Sequence, residues 1–320
     1  MIKLSIYFCT FVIGVLFTAM AYATPLTTSD LLSGFNAIIF GNATTSADIE
    51  GAAIIGGNFS GATLYQNPRN IALPATFNAL NVYGSTYGNQ MNMDNSGNAY
   101  VGGTVGTTIN FNGGGNYIAS NPDMSIASMY SELTATSQYL SHFTANSYLP
   151  TAGNNEIINA APDANGLAVF NITAGDLSKI PSYSIAANGA TTIIFNVSGL
   201  ALNFNANYLG NDSLFDNIIW NFFDAINLEF ETLLGGSVLA PNASVTNHNQ
   251  IDGTLVASSW TGQGELHEYA FDGTVPTPAP RQPTATPEPN VFVLFACGML
   301  LVVLWHRWSA RRSLAAGSRN

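Results

Sequence analysis

Short β-branched or aromatic runs, cut at close intervals by glycine and asparagine, recur through most of this chain. Each run has the length of a strand and is bounded by turn-forming residues. Glycine precedes several of them, where it permits a sharp corner. Strand-and-corner units of this kind favour a β-solenoid, in which neighbouring coils bury each other's faces. Because the spacing of the runs is irregular, a β-sandwich stays open as the alternative. The runs are 37–40, 52–55, 104–111, 167–172, 191–197, 237–240 and 254–257.

One segment has helical rather than strand-like spacing. Asn121 and Pro122 are followed by apolar residues at 126, 129, 130, 133 and 140. Asparagine is a favourable helix cap and proline suits the first helical position. The pattern predicts one helix over residues 122–141, with its apolar stripe packed against the β body.

The body of the chain between its two ends has few charged residues, and nearly all of them are acidic. Eighteen of the 19 acidic residues lie in residues 24–273, against Arg69 and Lys179 alone, which gives a balance of −16. Nucleic acid is excluded as a partner, because phosphate neutralisation needs lysine and arginine. The only cysteines are Cys9 and Cys297, so the body has no disulfide and no cysteine metal site.

The first 23 residues have the order of a secretory signal. Lys3 precedes an apolar stretch, and Ala21 and Ala23 are the small residues that signal peptidase recognises. We expect cleavage after Ala23, so that the mature chain starts at Thr24 and residues 1–23 form a signal peptide.

The other end has three parts in a fixed order. Residues 274–289 form a proline-rich, extended linker that ends in Pro287, Glu288 and Pro289. Residues 290–312 contain an apolar stretch with tryptophans behind it and end in Arg311 and Arg312. We expect a transmembrane segment whose arginines stay in the cytoplasm, with the body on the outer side.

This tripartite tail resembles the PEP-CTERM sorting signal of Gram-negative bacteria. The resemblance implies processing by an exosortase, an inner-membrane intermediate with the body in the periplasm, and delivery to the cell surface or beyond. Thr286 stands where that family usually has valine, and the tail runs on after the arginines to Asn320.

Three further motifs lie at residues 35–58, 219–222 and 236–273 of the body, which spans 24–273. Together they resemble, from about Leu31 to Gly273, the choice-of-anchor A domain, a bacterial surface module. The resemblance implies a right-handed β-helix of the ice-binding-like or adhesin type with one helix alongside, and it implies no enzymatic activity and no cofactor. The matching positions are Asp48, Gly51, Gly56, Gly57, Asn58, Asn221, Ala240, Pro241, Asn242, Gly253, Glu265, His267 and Phe271.

The most chemically suggestive cluster is close to the end of the body. Glu265, His267, Glu268 and Asp272, with His248 nearby in sequence, offer ligands for a divalent cation. Their spacing matches no dedicated cage, so we favour a structural role in closing the last coil and expect no metal.

Together these features predict an exported, non-enzymatic surface or matrix protein that contacts exopolysaccharide or cell-surface glycans. Tyr83, Tyr87 and Tyr117 would suit a carbohydrate-binding face. A polysaccharide lyase or hydrolase remains an alternative, with Arg69 and Lys179 as its only basic candidates. An ice-binding protein is another, although no regular Thr-x-Thr repeat follows the chain.

Overall fold

The computed structural model describes residues 26–277 and 298–300. The predicted signal-peptide cleavage site and the Pro-Glu-Pro and arginine parts of the tail lie outside these residues. Two compact units divide the chain, Met1–Pro276 and Thr277–Asn320, and in the second the described residues 298–300 are helical. Within the described part of the chain, no helix is both long and apolar enough to cross a membrane.

The described part of the first unit, residues 26–276, consists mainly of short parallel strands with three helices and one 3-10 turn, Phe215–Asn217. The helices are α1 (Thr28–Gly34), α2 (Ile126–Ser141) and α3 (Ala174–Leu177). The strands are β1 (Ala37–Ile39), β2 (Ala43–Thr45), β3 (Ala53–Ile55), β4 (Phe59–Ser60), β5 (Thr63–Leu64), β6 (Leu80–Val82), β7 (Met91–Met93), β8 (Ala99–Val101), β9 (Ile109–Phe111), β10 (Glu156–Asn159), β11 (Leu167–Thr173), β12 (Ser182–Ala186), β13 (Thr192–Ser198), β14 (Ala201–Phe204), β15 (Asn207–Tyr208), β16 (Ile218–Asn221), β17 (Asn227–Phe230), β18 (Leu234–Gly235), β19 (Ser237–Asn247), β20 (Ile251–Asp252), β21 (Leu255–Gly262) and β22 (Leu266–His267).

The strands stack as the coils of a β-solenoid. The longest ladder runs in the order β11-β13-β16-β19-β21-β1-β3-β6-β8, and its pairs are parallel. A sandwich of antiparallel sheets would not give this pattern. The solenoid with one main helix beside it is therefore confirmed.

The order of coils in space differs from their order in the chain. Strand β21, near the end of the domain, pairs with β1 at its beginning. We call this junction the seam. Asn36 links its two sides, since its amide donates to the carbonyl oxygens of Gly253, at 2.7 Å, and His267, at 2.9 Å. Gly253 has no room for a side chain here, because a Cβ would lie 2.5 Å from the carbonyl oxygen of Gly236.

Helix α2 lies along the outside of the longest ladder. Asn221 is fully buried beneath it and donates to the Ser137 carbonyl oxygen at 2.9 Å, while the Ser137 hydroxyl donates to Asn221 Oδ1 at 2.6 Å. Asn196 on the neighbouring coil donates to the Leu140 carbonyl oxygen at 2.8 Å. Stacked amides thus satisfy polar groups that the helix would otherwise bury.

The predicted start of this helix is wrong. The helix begins at Ile126 rather than Pro122, and its cap is Ser125, whose Oγ accepts from the Ser128 backbone N–H at 3.1 Å. Residues before the cap serve another contact, because the Met124 carbonyl oxygen accepts from the Tyr83 hydroxyl at 2.6 Å.

The interior of the solenoid is filled by stacked side chains. Phe170, Phe195 and Trp220 lie on successive coils with centroids 4.6 and 4.1 Å apart and nearly parallel rings. Trp220 Nε1 donates to the Gly235 carbonyl oxygen at 2.9 Å, so the buried indole N–H is paired. With no cysteines in the body, this burial and the backbone ladders supply the stability.

Candidate binding face

A second face of the solenoid presents a continuous column of polar side chains. Register pairs join Asn203 to Glu229, Glu229 to Thr246, Thr246 to Thr261, Thr261 to Thr44 and Thr44 to Ser60. A parallel column contains Ala201, Asn227, Ser244 and Ser259. We call the surface formed by these ten residues the ladder face.

Alternation along each strand explains why these side chains point outward. The residues between them are apolar and nearly or fully buried: Leu202, Leu228, Val245, Trp260, Ala43 and Phe59. Successive side chains of a strand lie on opposite sides of the sheet, so a buried partner at every second position leaves the others to solvent. Neighbouring rungs are about 4.8 Å apart, and alternate residues of one strand about 6.6 Å. The ladder face is therefore a regular grid of mostly polar side chains.

Several hydroxyls of this grid have no side-chain hydrogen bond to the described protein. They belong to Thr246, Thr261 and Ser60, whereas Ser259 donates to Ser244 at 3.0 Å and Thr44 pairs with the Tyr87 hydroxyl at 2.9 Å. A free hydroxyl offers one donor and two acceptor positions to a ligand. The grid can therefore exchange hydrogen bonds with another hydroxylated or hydrated surface.

The corner beside the ladder face is held by side chains of its own. Asn42 Oδ1 accepts from the Asn58 backbone N–H at 2.8 Å, Asn58 Oδ1 from that of Ser85 at 2.9 Å, and Ser85 Oγ from that of Thr104 at 2.9 Å. Each coil thus fixes the next at the same corner. Side-chain hydrogen bonds within the protein therefore fix the corner beside the Thr44 and Ser60 rungs.

Sequence reasoning missed this face. The predicted strands 237–240 and 254–257 are the first halves of β19 and β21, which run on to Asn247 and Gly262. The second halves alternate polar and buried apolar residues, a period-two signal that could have revealed them. The predicted run 104–111 is also wrong in part, because only its end, β9, is a strand. Val105 forms an isolated bridge to Thr86, which in turn bridges Phe59 in the sheet of the ladder face.

Most of the predicted family positions lie away from the ladder face; Asn58, at the corner of that face, is the exception. Asp48, Gly51, Gly253, Glu265, His267 and Phe271 surround the seam, and Asn221, Ala240, Pro241 and Asn242 lie along α2. Gly56 and Gly57 form the adjoining corner, where a Cβ at Gly56 would lie 2.2 Å from the Phe40 carbonyl oxygen. These residues shape the solenoid.

His267 is held between two carboxylates at the seam. Its Nε2 lies 2.9 Å from Glu265 Oε2, and its Nδ1 lies 2.8 Å from Asp252 Oδ1 in a charge contact that lacks hydrogen-bond alignment. Pairing with Asp252 is the main cause that raises the pKa of His267 to about 9. The imidazolium therefore bridges two acids, and neither ring nitrogen is free for a metal.

The other members of the predicted cluster make contacts of their own rather than binding His267. Glu268 is nearly buried and accepts from the Arg69 backbone N–H at 3.0 Å, and burial raises its pKa to about 7. The Asp272 backbone N–H donates to the Asp216 carbonyl oxygen at 2.7 Å. His248 contacts Glu229 at the edge of the ladder face instead.

The two basic residues considered for catalysis are engaged separately. The Arg69 guanidinium lies 3.8 Å from the centroid of the Tyr269 ring. Lys179 pairs with Asp176 at 3.0 Å, one turn away at the surface. The structure does not bring them into one site.

Comparison with known proteins gives one family match. A family model described as "Putative Ice-binding-like adhesive domain" matches residues 28–268. No curated protein matches the chain in sequence.

Solved structures of ice-binding proteins are similar to the chain at low identity. One from an Antarctic biological consortium is 17% identical, covering 77% of this chain and 90% of that one, with a TM-score of 0.37. The glycosylated protein LeIBP from an Arctic yeast is 11% identical, covering 78% and 94%, with a TM-score of 0.41. A domain of an ice-binding protein from Shewanella frigidimarina is 13% identical, covering 77% and 97%, with a TM-score of 0.33.

Proposed function

This chain belongs to the family of ice-binding-like adhesive domains, and on that premise we propose that it is a non-enzymatic adhesive protein whose ladder face binds extracellular polysaccharide. Within that family, we assign the chain to the choice-of-anchor A proteins, which its sequence motifs resemble. The ligand is a hydroxyl-rich exopolysaccharide or cell-surface glycan.

The observation that carries this proposal is the column of hydroxyls without side-chain partners on one parallel sheet. Thr246, Thr261 and Ser60 occupy successive or near-successive rungs of one ladder. Sugar hydroxyls and threonine hydroxyls can each donate and accept, so they are matched hydrogen-bonding partners. A preformed surface loses little conformational freedom on binding. Individually weak contacts gain strength when they repeat along one polymer.

Removal of two hydroxyls without a change of shape tests this proposal. Thr246→Val with Thr261→Val should lower polysaccharide affinity roughly 5- to 150-fold, since each of the two net hydrogen bonds contributes about 0.5–1.5 kcal/mol. The measurement is retardation of the full-length protein in affinity gels that contain the candidate polysaccharides.

Thr151→Val is the matched control, because Thr151 is exposed in a loop away from the ladder face. It should bind as the wild type does. The proposal would be contradicted if the double variant were retarded as strongly as the wild type, or if no glycan retarded the wild type.

Ice is the second candidate ligand, and the regular spacing of the grid favours it. Hydroxyls that repeat at about 4.8 by 6.6 Å can bind water molecules in a regular array. Binding of a flexible polysaccharide does not need such regular spacing. Thr261→Tyr would lift the flat face from a crystal surface, so thermal hysteresis in the wild type that disappears in this variant would support ice. Glycan retardation without thermal hysteresis would support the polysaccharide.

The route to the cell exterior is part of the proposal. Signal peptidase would cut after Ala23, and an exosortase would act near Pro287, Glu288 and Pro289 while the tail holds the protein in the inner membrane. Mass spectrometry of protein recovered from the producing cells should find a mature start at Thr24. Recovery of the intact N-terminus, or of the intact tail from the cell surface, would contradict this route.

A further inference from the structure

The geometry points to a divalent transition-metal site formed by Glu229, Glu231 and His248 at the edge of the ladder face, with Zn²⁺ as the preferred ion. Glu229 is on β17 and Glu231 follows two residues later, so both side chains point to the same side of the sheet. His248 follows β19 on the next coil, one position beyond the Phe230–Asn247 register pair. Among residues 26–277 and 298–300, this is the one group of three such side chains whose ligand atoms all lie within 4.8 Å of one another.

Two residues outside the group orient its ligand atoms. The Asn203 amide, one coil away, donates to Glu229 Oε2 at 3.1 Å and to Glu231 Oε1 at 3.4 Å. On the other side, Gln263 lies on the coil that follows His248, and its Oε1 is 3.1 Å from His248 Nδ1. Asn203 thus holds Glu229 through Oε2 and leaves Glu229 Oε1 to face His248 Nε2. Such outer partners fix the tautomer and direction of metal-binding side chains.

The distances suit a metal of the size of zinc. His248 Nε2 lies 3.0 Å from Glu229 Oε1. Ligand atoms bound at about 2.1 Å from a tetrahedral metal are about 3.4 Å from one another. This separation is longer than the 3.0 Å contact and shorter than the 4.8 Å within which all three ligand atoms lie.

The ligand types select among metals. Two carboxylates alone would favour calcium or magnesium, whereas an imidazole nitrogen favours zinc and its neighbours in the first transition row. His248 and Glu229 are partly exposed, with side-chain exposures of 30% and 46%. Three protein ligands at an open surface leave a fourth coordination position for water or an oxygen of a bound partner. His267 differs, since Asp252 and Glu265 contact opposite nitrogens of its ring and, among the described residues, no three ligand atoms converge there.

Calorimetric titration with zinc chloride tests the site directly, on the full-length chain carrying no histidine tag. We expect one saturable zinc per chain, and weaker binding of calcium and magnesium chloride by at least tenfold. His248→Gln and, independently, Glu231→Gln should each weaken zinc binding at least tenfold. Asn203→Ala should weaken it roughly tenfold through the lost orientation.

His142→Gln is the matched control, because His142 is also exposed but contacts only its own helix, through the Gln138 carbonyl oxygen. It should leave zinc affinity unchanged, and circular dichroism should show native melting for every variant, since all four positions are at the surface. Co²⁺ should give visible absorption that is lost with His248→Gln. The inference is overturned if the folded wild type takes up no zinc saturably, or if both ligand variants bind as the wild type does.

Discussion

At the scale of single residues, two groups beside the seam, Glu268 and His267, have raised pKa values. Glu268 is buried there beside Glu50, whose Oε2 accepts from the Glu268 backbone N–H at 2.9 Å. Burial first, and the charge of Glu50 second, raise the pKa of Glu268 to about 7, with hydrogen bonding from Arg69 acting against them. The folded protein therefore holds a proton on Glu268 at pH values where the unfolded chain has lost it.

This proton predicts a fall in stability with rising pH. Between about pH 4.5 and 7 the folded state binds more protons than the unfolded state, so the free energy of unfolding decreases across that window. His267 continues the trend to about pH 9, because its raised pKa contributes stability that is complete below its ordinary value of 6.5. Glu268→Gln should remove the first part of the fall and stabilise the protein at pH 8 by on the order of 1 kcal/mol.

Urea unfolding of wild type and variant at pH 4.5, 6 and 8 gives the comparison. Glu265→Gln is a suitable control, since Glu265 is exposed and its loss should act only through His267. A Glu268→Gln curve that stays parallel to the wild type over this range would mean that Glu268 is ionised throughout.

At the scale of secondary-structure elements, local signals were informative where they agreed with packing. The apolar stripe of α2 predicted the helix, and Met129, Leu133 and Leu140 are indeed fully buried. Its start could not be decided from the sequence, because Asn121 and Ser125 are both good caps and only the contact of Met124 with Tyr83 selects between them.

The start of α2 yields a second prediction. Ser125→Ala should destabilise the protein by about 1 kcal/mol, since the Ser128 backbone N–H loses its cap. Asn121→Ala should change the free energy of unfolding by less than about 0.5 kcal/mol, as expected of an exposed position. Chemical denaturation measures both, and a larger effect at Asn121 than at Ser125 would place the cap where the sequence pattern put it.

Two shorter helices illustrate a signal that was present but overlooked. Thr27 with Asp30, and Thr173 with Asp176, each form a reciprocal capping box at the start of α1 and α3. The threonine-x-x-acid spacing was visible in the sequence. Neither helix is long enough to show an apolar stripe, so periodicity alone could not find them.

At the scale of the whole molecule, the solenoid itself could be predicted, whereas the ladder face could not. Strand-like runs, glycine corners and the absence of cysteine in the body are local properties and are written along the chain. The column from Glu229 through Thr246 and Thr261 to Thr44 and Ser60 depends on the seam, where residue 261 meets residue 44. The column cannot be followed along the chain as one repeat, because at the Thr261–Thr44 pair it passes to coils at the other end of the domain.

The seam gives this account its most direct test, because the body has no cysteine of its own. In a chain with Cys9→Ser and Cys297→Ser, the variant Thr44→Cys with Thr261→Cys should form a disulfide under mild oxidation, since parallel neighbours about 4.8 Å apart lie within disulfide range. Thr104→Cys with Thr261→Cys should stay reduced, because Thr104 lies several coils further along the same face. Cross-linking of residues 44 and 261, read by peptide mass spectrometry, is the predicted result. Failure of that pair to cross-link in folded protein, or equal cross-linking of residues 104 and 261, would contradict the assembly of one ladder from both ends of the domain.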